Sequence, residues 1–164
     1  DQHDRHRLGS SGTAVAFCPT SNLFLGSGLF DLRAALEHQI QVTFGSDVGA
    51  GTSFSMLRTM HEAYKVCRLQ NYDLSPMLAF YLATLGAARG LFLDHELGNF
   101  EKDKMADFIV IDLQASELMA RRMARAESLE DQLFALMMLG DDRNIVATYI
   151  LGQCRYCRVQ RSAG

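Results

Sequence analysis

The chain has 164 residues, with 16 Lys and Arg against 19 Asp and Glu, giving a formal net charge of −3. Without a cationic excess to displace counterions it does not read as a nucleic-acid binder. Its 48% apolar and 21% charged content suits a packed core and excludes disorder, and no apolar run approaches the about 20 residues of a membrane span.

Residues 1–12 are polar and punctuated by glycines, and they read as a frayed terminus carrying His3 and His6. They have no apolar h-region, so they form no signal peptide. The absence of an initiator Met suggests a start inside a longer protein. Residues 13–18 are short, apolar and bounded by Gly12 and Pro19, as in a buried strand. A loop is expected at residues 19–22, a flexible Gly26-Ser-Gly28, helical spacing over residues 30–38, and a second strand at residues 40–44. A glycine-rich loop follows at residues 45–51. Thr52 or Ser53 could cap the next helix, over residues 55–69, where Met56, Met60, Ala63, Tyr64 and Cys67 recur at three- and four-residue steps. Ser75-Pro76 has the N-cap and first-position chemistry of another helix, expected to run to Arg89 and stop at Gly90. Strand, helix, strand, helix is the rhythm of a parallel α/β sheet or barrel.

After Leu93 the pattern changes, and a domain boundary is expected there, separating residues 1–93 from 94–164. A turn-rich stretch leads to a strand at residues 106–111. Residues 117–125 are basic. Ser128-Leu-Glu-Asp131 resembles a capping box ahead of a helix through Met138. Gly140-Asp-Asp-Arg143 reads as a turn. Residues 145–151 and 155–159 read as a β-hairpin around Gly152-Gln153.

Thr43-Phe-Gly-Ser-Asp47-Val-Gly-Ala-Gly51 is the most informative segment. An acid directly after a buried strand sits at the rim where α/β barrels place their chemistry, and flanking glycines admit close backbone approach. Asp47 could bind zinc or take a proton from water; equally, it could cap the following helix. The five histidines, His3, His6, His38, His61 and His95, read as solvent-facing. His61-Glu62 lacks a second His at position 65, so the His-Glu-x-x-His zinc motif is absent. Cys154-Arg-Tyr-Cys157 has knuckle spacing, but no second ligand pair lies nearby, and in a strand positions i and i+3 point to opposite faces. With Gln153 before Cys154, the Pro-Cys-x-x-Cys signature of cytidine-deaminase folds is also missing. The four cysteines, Cys18, Cys67, Cys154 and Cys157, are too sparse for a disulfide scaffold and read as reduced thiols in a cytoplasm.

Five segments occur in one order: Ala16-Phe-Cys-Pro-Thr-Ser-Asn-Leu23, Gly45-Ser-Asp-Val-Gly-Ala-Gly-Thr-Ser-Phe-Ser-Met-Leu57, Leu82-Ala-Thr-Leu-Gly86, Gly98-Asn-Phe-Glu101 and Leu139-Gly-Asp-Asp-Arg-Asn-Ile145. Together they resemble the C-terminal half of guanine deaminases of the amidohydrolase superfamily, up to about residue 152. Cys-Pro-x-Ser-Asn and Gly-[Ser/Thr]-Asp also occur in related deaminases and chlorohydrolases. The Ser-Met-Leu continuation and Leu-Gly-Asp-Asp-Arg narrow the likeness. The tail from Cys154 to Gly164 carries no family motif.

The resemblance implies the C-terminal part of a TIM (β/α)8 barrel, its seventh strand at residues 13–18 and its eighth at 40–44, plus part of a small β-sandwich with an inserted helix. It implies that Asp47 is both a zinc ligand and the base that takes a proton from the zinc-bound water. The implied activity is hydrolytic deamination of guanine to xanthine and ammonia in purine catabolism, in the cytoplasm. The implied partners are a small-molecule purine and a second copy in a homodimer, with no nucleic acid and no membrane. One zinc per full-length subunit is implied. The family's first-strand His-x-His pair, its later zinc histidines, its acidic shuttle and most purine-binding residues match nothing here, and His3 and His6 do not match the strand-six histidine. A whole barrel takes about 250 residues, so the chain is expected to be a fragment, inactive alone. Alternatives are another zinc amidohydrolase of heterocyclic amines or chlorides, or a non-catalytic interaction module.

Overall fold

A computed structural model describes residues 1–158. Val159, the expected end of the hairpin, lies outside the described residues. None of the helices among them is long and apolar enough to cross a membrane.

Two strands, β1 (Ala14–Phe17) and β2 (Gln41–Phe44), pair in parallel in the register Ala14 with Gln41 through Phe17 with Phe44. Between them run α2 (Pro19–Leu25) and α3 (Leu32–Glu37), the crossover that a parallel pair requires. The chain opens with α1 (Gln2–Ser10), where a frayed terminus was expected. Asp1 and Asp4 form a reciprocal capping box, which supplies local order to a helix with no buried residue. Residues 19–22 are helical rather than a loop: Pro19 sits in the first turn, where its missing N–H costs nothing, and Gly26 closes α2 in the left-handed region.

The core forms around this pair. Phe17 is 1% exposed, with its ring 4.8 Å from Phe30 and 5.9 Å from Phe44. Helix α4 (Met56–Leu69) buries Met60, Ala63 and Cys67 of the expected stripe, but Leu57 and Val66 are buried beside them while Met56 and Tyr64 are only half-buried, so the core-facing stripe is rotated slightly from the expected one. Each large side chain so buried contributes about 1.5–3 kcal/mol. The cap of α4 is Ser55, whose Oγ accepts the Arg58 amide, rather than Thr52 or Ser53.

Ser75 caps α5 (Pro76–Ala83) as its sequence signals. The expected single helix to Arg89 is broken at Thr84, whose φ and ψ of −128° and −102° are not helical, and α6 (Leu85–Gly90) continues beyond. The break lets Gly86 pass against the Tyr81 carbonyl and ring, where a Cβ would lie 2.9 Å from either. Gly90, at the end of α6, packs onto the sheet where a Cβ would meet Thr43 and Ala14.

Further along the chain, three antiparallel strands, β3 (Phe108–Ile111), β4 (Ile145–Ile150) and β5 (Gln153–Cys157), form a second sheet in the order β3-β4-β5. The hairpin turns at Leu151-Gly152, both at positive φ as a two-residue turn of this hand requires, one residue earlier than expected. Helices α7 (Glu117–Met123) and α8 (Leu129–Leu139) are inserted between β3 and β4. Ser128 caps α8 by accepting the Asp131 amide, but Asp131 returns its bond to Glu127 N, so the box is displaced by one residue.

A polar corner ties this sheet to its inserted helices. Asn144 is 2% exposed; its Oδ1 accepts the Asp141 amide at 3.0 Å and its Nδ2 donates to the Asp112 carbonyl at 2.7 Å. Arg143 grips Asp141 through Nε and Nη2, at 3.0 and 2.6 Å, and Arg158 donates to Asp112 at 3.0 Å. The Arg143 hydrogen bond holds the Asp141 carboxyl below the usual carboxylate range. The Gln114 amide first, and Arg158 second, lower that of Asp112.

Two outcomes follow from this packing. Gly90→Ala should lower unfolding stability by about 1–3 kcal/mol through overpacking, and an unchanged urea midpoint would contradict the close approach of α6 to the sheet. The depressed carboxyls stabilise above the unfolded pKa of about 3.9 and lose that contribution as pH falls through their folded pKa values. The stability gap between the wild-type chain and Arg143→Ala should therefore narrow on acidification below about pH 4. A gap constant with pH would remove the Asp141–Arg143 pair from the account.

Candidate active site

The C-terminal ends of β1 and β2 lie side by side, so the residues following them share one edge. Gly45 N donates to the Phe17 carbonyl at 3.1 Å, extending the ladder one residue past the strands. A Cβ on Gly45 would lie 2.9 Å from Cys18 Sγ, so only glycine lets the two loops run this close. Beyond it the backbone doubles back. Asp47 adopts φ +47°, and its carbonyl accepts the amides of Ala50 and Gly51. Gly49, at φ +131°, stands where L side chains are strained, and a Cβ on Gly51 would strike the Ser46 carbonyl. Aspartate visits the left-handed region more readily than most residues, though holding it there still costs of order 1–3 kcal/mol.

Thr20, in the first turn of α2, fixes this loop from beyond the end of β1. It is 4% exposed, and its Oγ1 donates to the Ser46 carbonyl at 3.3 Å, across 26 residues of chain. Thr20 and the equally buried Ser21 belong to the Cys-Pro-Thr-Ser-Asn segment, but Thr20 occupies that motif's variable position, so its role is legible only once the start of α2 is placed against the Asp47 loop.

Asp47 is exposed, and among the described residues no hydrogen bond or ion pair engages its carboxylate. Helix α4 begins at Met56 under Ser55, eight residues further on, so Asp47 is not its cap and the cap alternative is overturned. Its charge is felt locally: burial first, and Asp47 second, push the Cys18 thiol up. The arrangement presents one carboxylate on a hydrogen-bonded glycine loop, able to accept a proton or donate an oxygen pair.

The histidines lie elsewhere. His3 and His6 project from α1, and His95 is exposed beside Glu96 at 3.2 Å. His38 and His61 depart from the solvent-facing expectation: both are half-buried, with Nδ1 on the carbonyls of Ala34 at 2.7 Å and Met138 at 3.0 Å, where each secures a helix end. Among the described residues no group of three or more His, Cys, Asp and Glu side chains could hold a metal ion. Catalytic zinc takes about three protein ligands plus water. Asp47 alone does not meet that demand, so these residues by themselves do not fit a zinc centre.

Comparison with known proteins gives this edge a lineage. The Amidohydrolase family profile matches residues 4–155, and the chain belongs to that family. It is 50% identical over 158 residues to guanine deaminase of Escherichia coli (strain K12), covering 96% of this chain and 36% of that protein. The solved E. coli guanine deaminase superposes with a TM-score of 0.95 over 97% of this chain and 37% of its own. Guanine deaminase from C. acetobutylicum, solved with guanine in its active site, is 29% identical with a TM-score of 0.80, over 95% of this chain and 37% of that one. A zinc-bound adenosine deaminase from Xanthomonas campestris shares the fold at 22% identity and a TM-score of 0.82, over 99% and 37%. The chain thus spans little more than a third of the length of these relatives.

Proposed function

We propose that this chain supplies the C-terminal part of a guanine deaminase: the last two strands of an amidohydrolase barrel, and part of its small sandwich over residues 94–164. The single observation carrying the reading is the free Asp47 carboxylate on a glycine loop at the C-terminal edge of a parallel strand pair, in a chain 50% identical to a guanine deaminase. That edge is where α/β barrels gather their catalytic residues.

In the proposed reaction, water adds to the guanine ring carbon that bears the amino group. Asp47 accepts the proton that water gives up and passes it to the departing amine. The carbon–nitrogen bond breaks, releasing ammonia and leaving xanthine. A zinc ion held by the whole protein would supply Lewis-acid activation of water, and of the residues described here Asp47 would be its ligand. Thr20, Gly45 and the left-handed Asp47 backbone hold the carboxylate at the rim without a side-chain partner, which keeps it available as a base. We further assign the whole protein to cytoplasmic purine catabolism as a homodimer, following the family likeness. The identity to a guanine deaminase favours guanine over other heterocyclic amines or chlorides.

A second reading, a non-catalytic interaction module, rests on the free outer edge of β1 within its two-stranded sheet and on exposed Phe24 and Phe54. The two readings diverge in experiment.

In a protein that contains this segment and deaminates guanine, Asp47→Asn should leave the fold intact and reduce turnover by about 10²–10⁴-fold or more, the worth of a general base. Steady-state rates within about threefold of wild type would remove Asp47 from catalysis and leave the interaction module. The 164-residue chain alone should show neither guanine turnover nor stoichiometric zinc, because it offers one ligand where about three are needed. Elemental analysis finding one zinc per chain, lost in Asp47→Ala, would contradict this.

A further inference from the structure

Cys154 and Cys157 stand three residues apart on β5, a spacing that points side chains to opposite faces of a regular strand. This strand is not regular. Cys157 pairs with Ala147 and Tyr156 with Thr148, yet Tyr149 pairs with Cys154, so Arg155 is an extra, bulged residue. Directly opposed residues share a face, and Ala147 and Tyr149, two apart on β4, share one as well. Both cysteines therefore lie on the same face, and the expectation of opposed thiols is corrected by the bulge. They span two residues of the partner strand, about 7 Å between Cα atoms. Both thiols are free and exposed. Cys154 Sγ donates to the Tyr156 carbonyl at 3.3 Å and Cys157 Sγ to the Arg158 carbonyl at 3.9 Å, so both side chains lean the same way along the strand, and a shared ion requires the exposed Cys157 side chain to turn back towards Cys154.

That spacing sits at the upper limit for a direct disulfide, which needs Cα atoms about 4.4–6.8 Å apart. Two sulfurs with an ion between them reach further. Thiolates select Cu(I), zinc or iron–sulfur clusters. A structural zinc takes four protein ligands, and among the described residues no third His, Cys, Asp or Glu joins this pair. Monovalent copper is satisfied by two. We infer that Cys154 and Cys157 form a two-thiolate site for a soft monovalent cation, Cu(I). On binding, both S–H bonds break, two protons leave to solvent and two S–Cu bonds form; no electron moves. The complex carries one net negative charge, and the bulged Arg155 between the two cysteines adds a positive one. The other thiols compete poorly. Burial, and then the charge of Asp31, push the Cys67 thiol up to about 11, and Cys18 is raised in the same direction.

The test is anaerobic titration of the reduced 164-residue chain with Cu(I) presented as its bicinchoninate complex, followed by loss of the complex's colour. One copper should transfer per chain. Cys154→Ser and Cys157→Ser should each weaken transfer by about a hundredfold or more, because losing one arm of a chelate removes its effective concentration; Cys18→Ala should leave it unchanged. Both serine positions are exposed, and far-ultraviolet dichroism checks that the hairpin persists. No transfer, transfer retained in the Cys154→Ser/Cys157→Ser double variant, or a copper-dependent dimer on gel filtration would each overturn the inference.

Discussion

The parallel pairing of β1 with β2 is the constraint on which the rest depends. A one-residue slip would turn Phe17 and Phe44 out of the core and carry Gly45 away from Cys18. In the observed register the two loops leave the sheet together. Thr20 can then reach the Ser46 carbonyl, and the left-handed turn at Asp47 is held from both sides. Core burial thus fixes the site at one remove: the rings of Phe17, Phe30 and Phe44 set the register, and the register sets where the carboxylate emerges.

The loop's shape is written in the backbone rather than in the Asp47 side chain. Gly45, Gly49 and Gly51 provide close approach and unusual dihedrals, while the Asp47 carbonyl closes the turn. The carboxylate is left with no structural duty. A cap or an ion pair in its place would tie up the lone pairs that proton transfer needs.

Much of this was legible in the sequence because it is local. The strands near residues 14–17 and 41–44, the apolar stripe of α4, the Ser75-Pro76 start of α5 and the acid after the second strand each follow from residue type and spacing. What escaped depends on partners distant in sequence or on rules that composition masks. Helix α1 has no apolar stripe, so the Asp1–Asp4 capping box was its only signal. The break at Thr84 answers to the packing of Gly86 against Tyr81. The contact of Thr20 joins the start of α2 to a loop 26 residues further along the chain, and the bulge at Arg155 belongs to the register of β4 with β5, which neither strand encodes alone.

The central claim, that Asp47 is held by its backbone and its carboxylate left without a structural partner, is tested most directly by the unfolding free energy of Asp47→Asn in this 164-residue chain. Asparagine keeps the shape and tolerates the left-handed region. The account predicts a stability within about 0.5 kcal/mol of wild type, as for a surface side chain without partners. A loss above about 1 kcal/mol, the worth of a cap or a charge-assisted hydrogen bond, would contradict it and return Asp47 to a structural role.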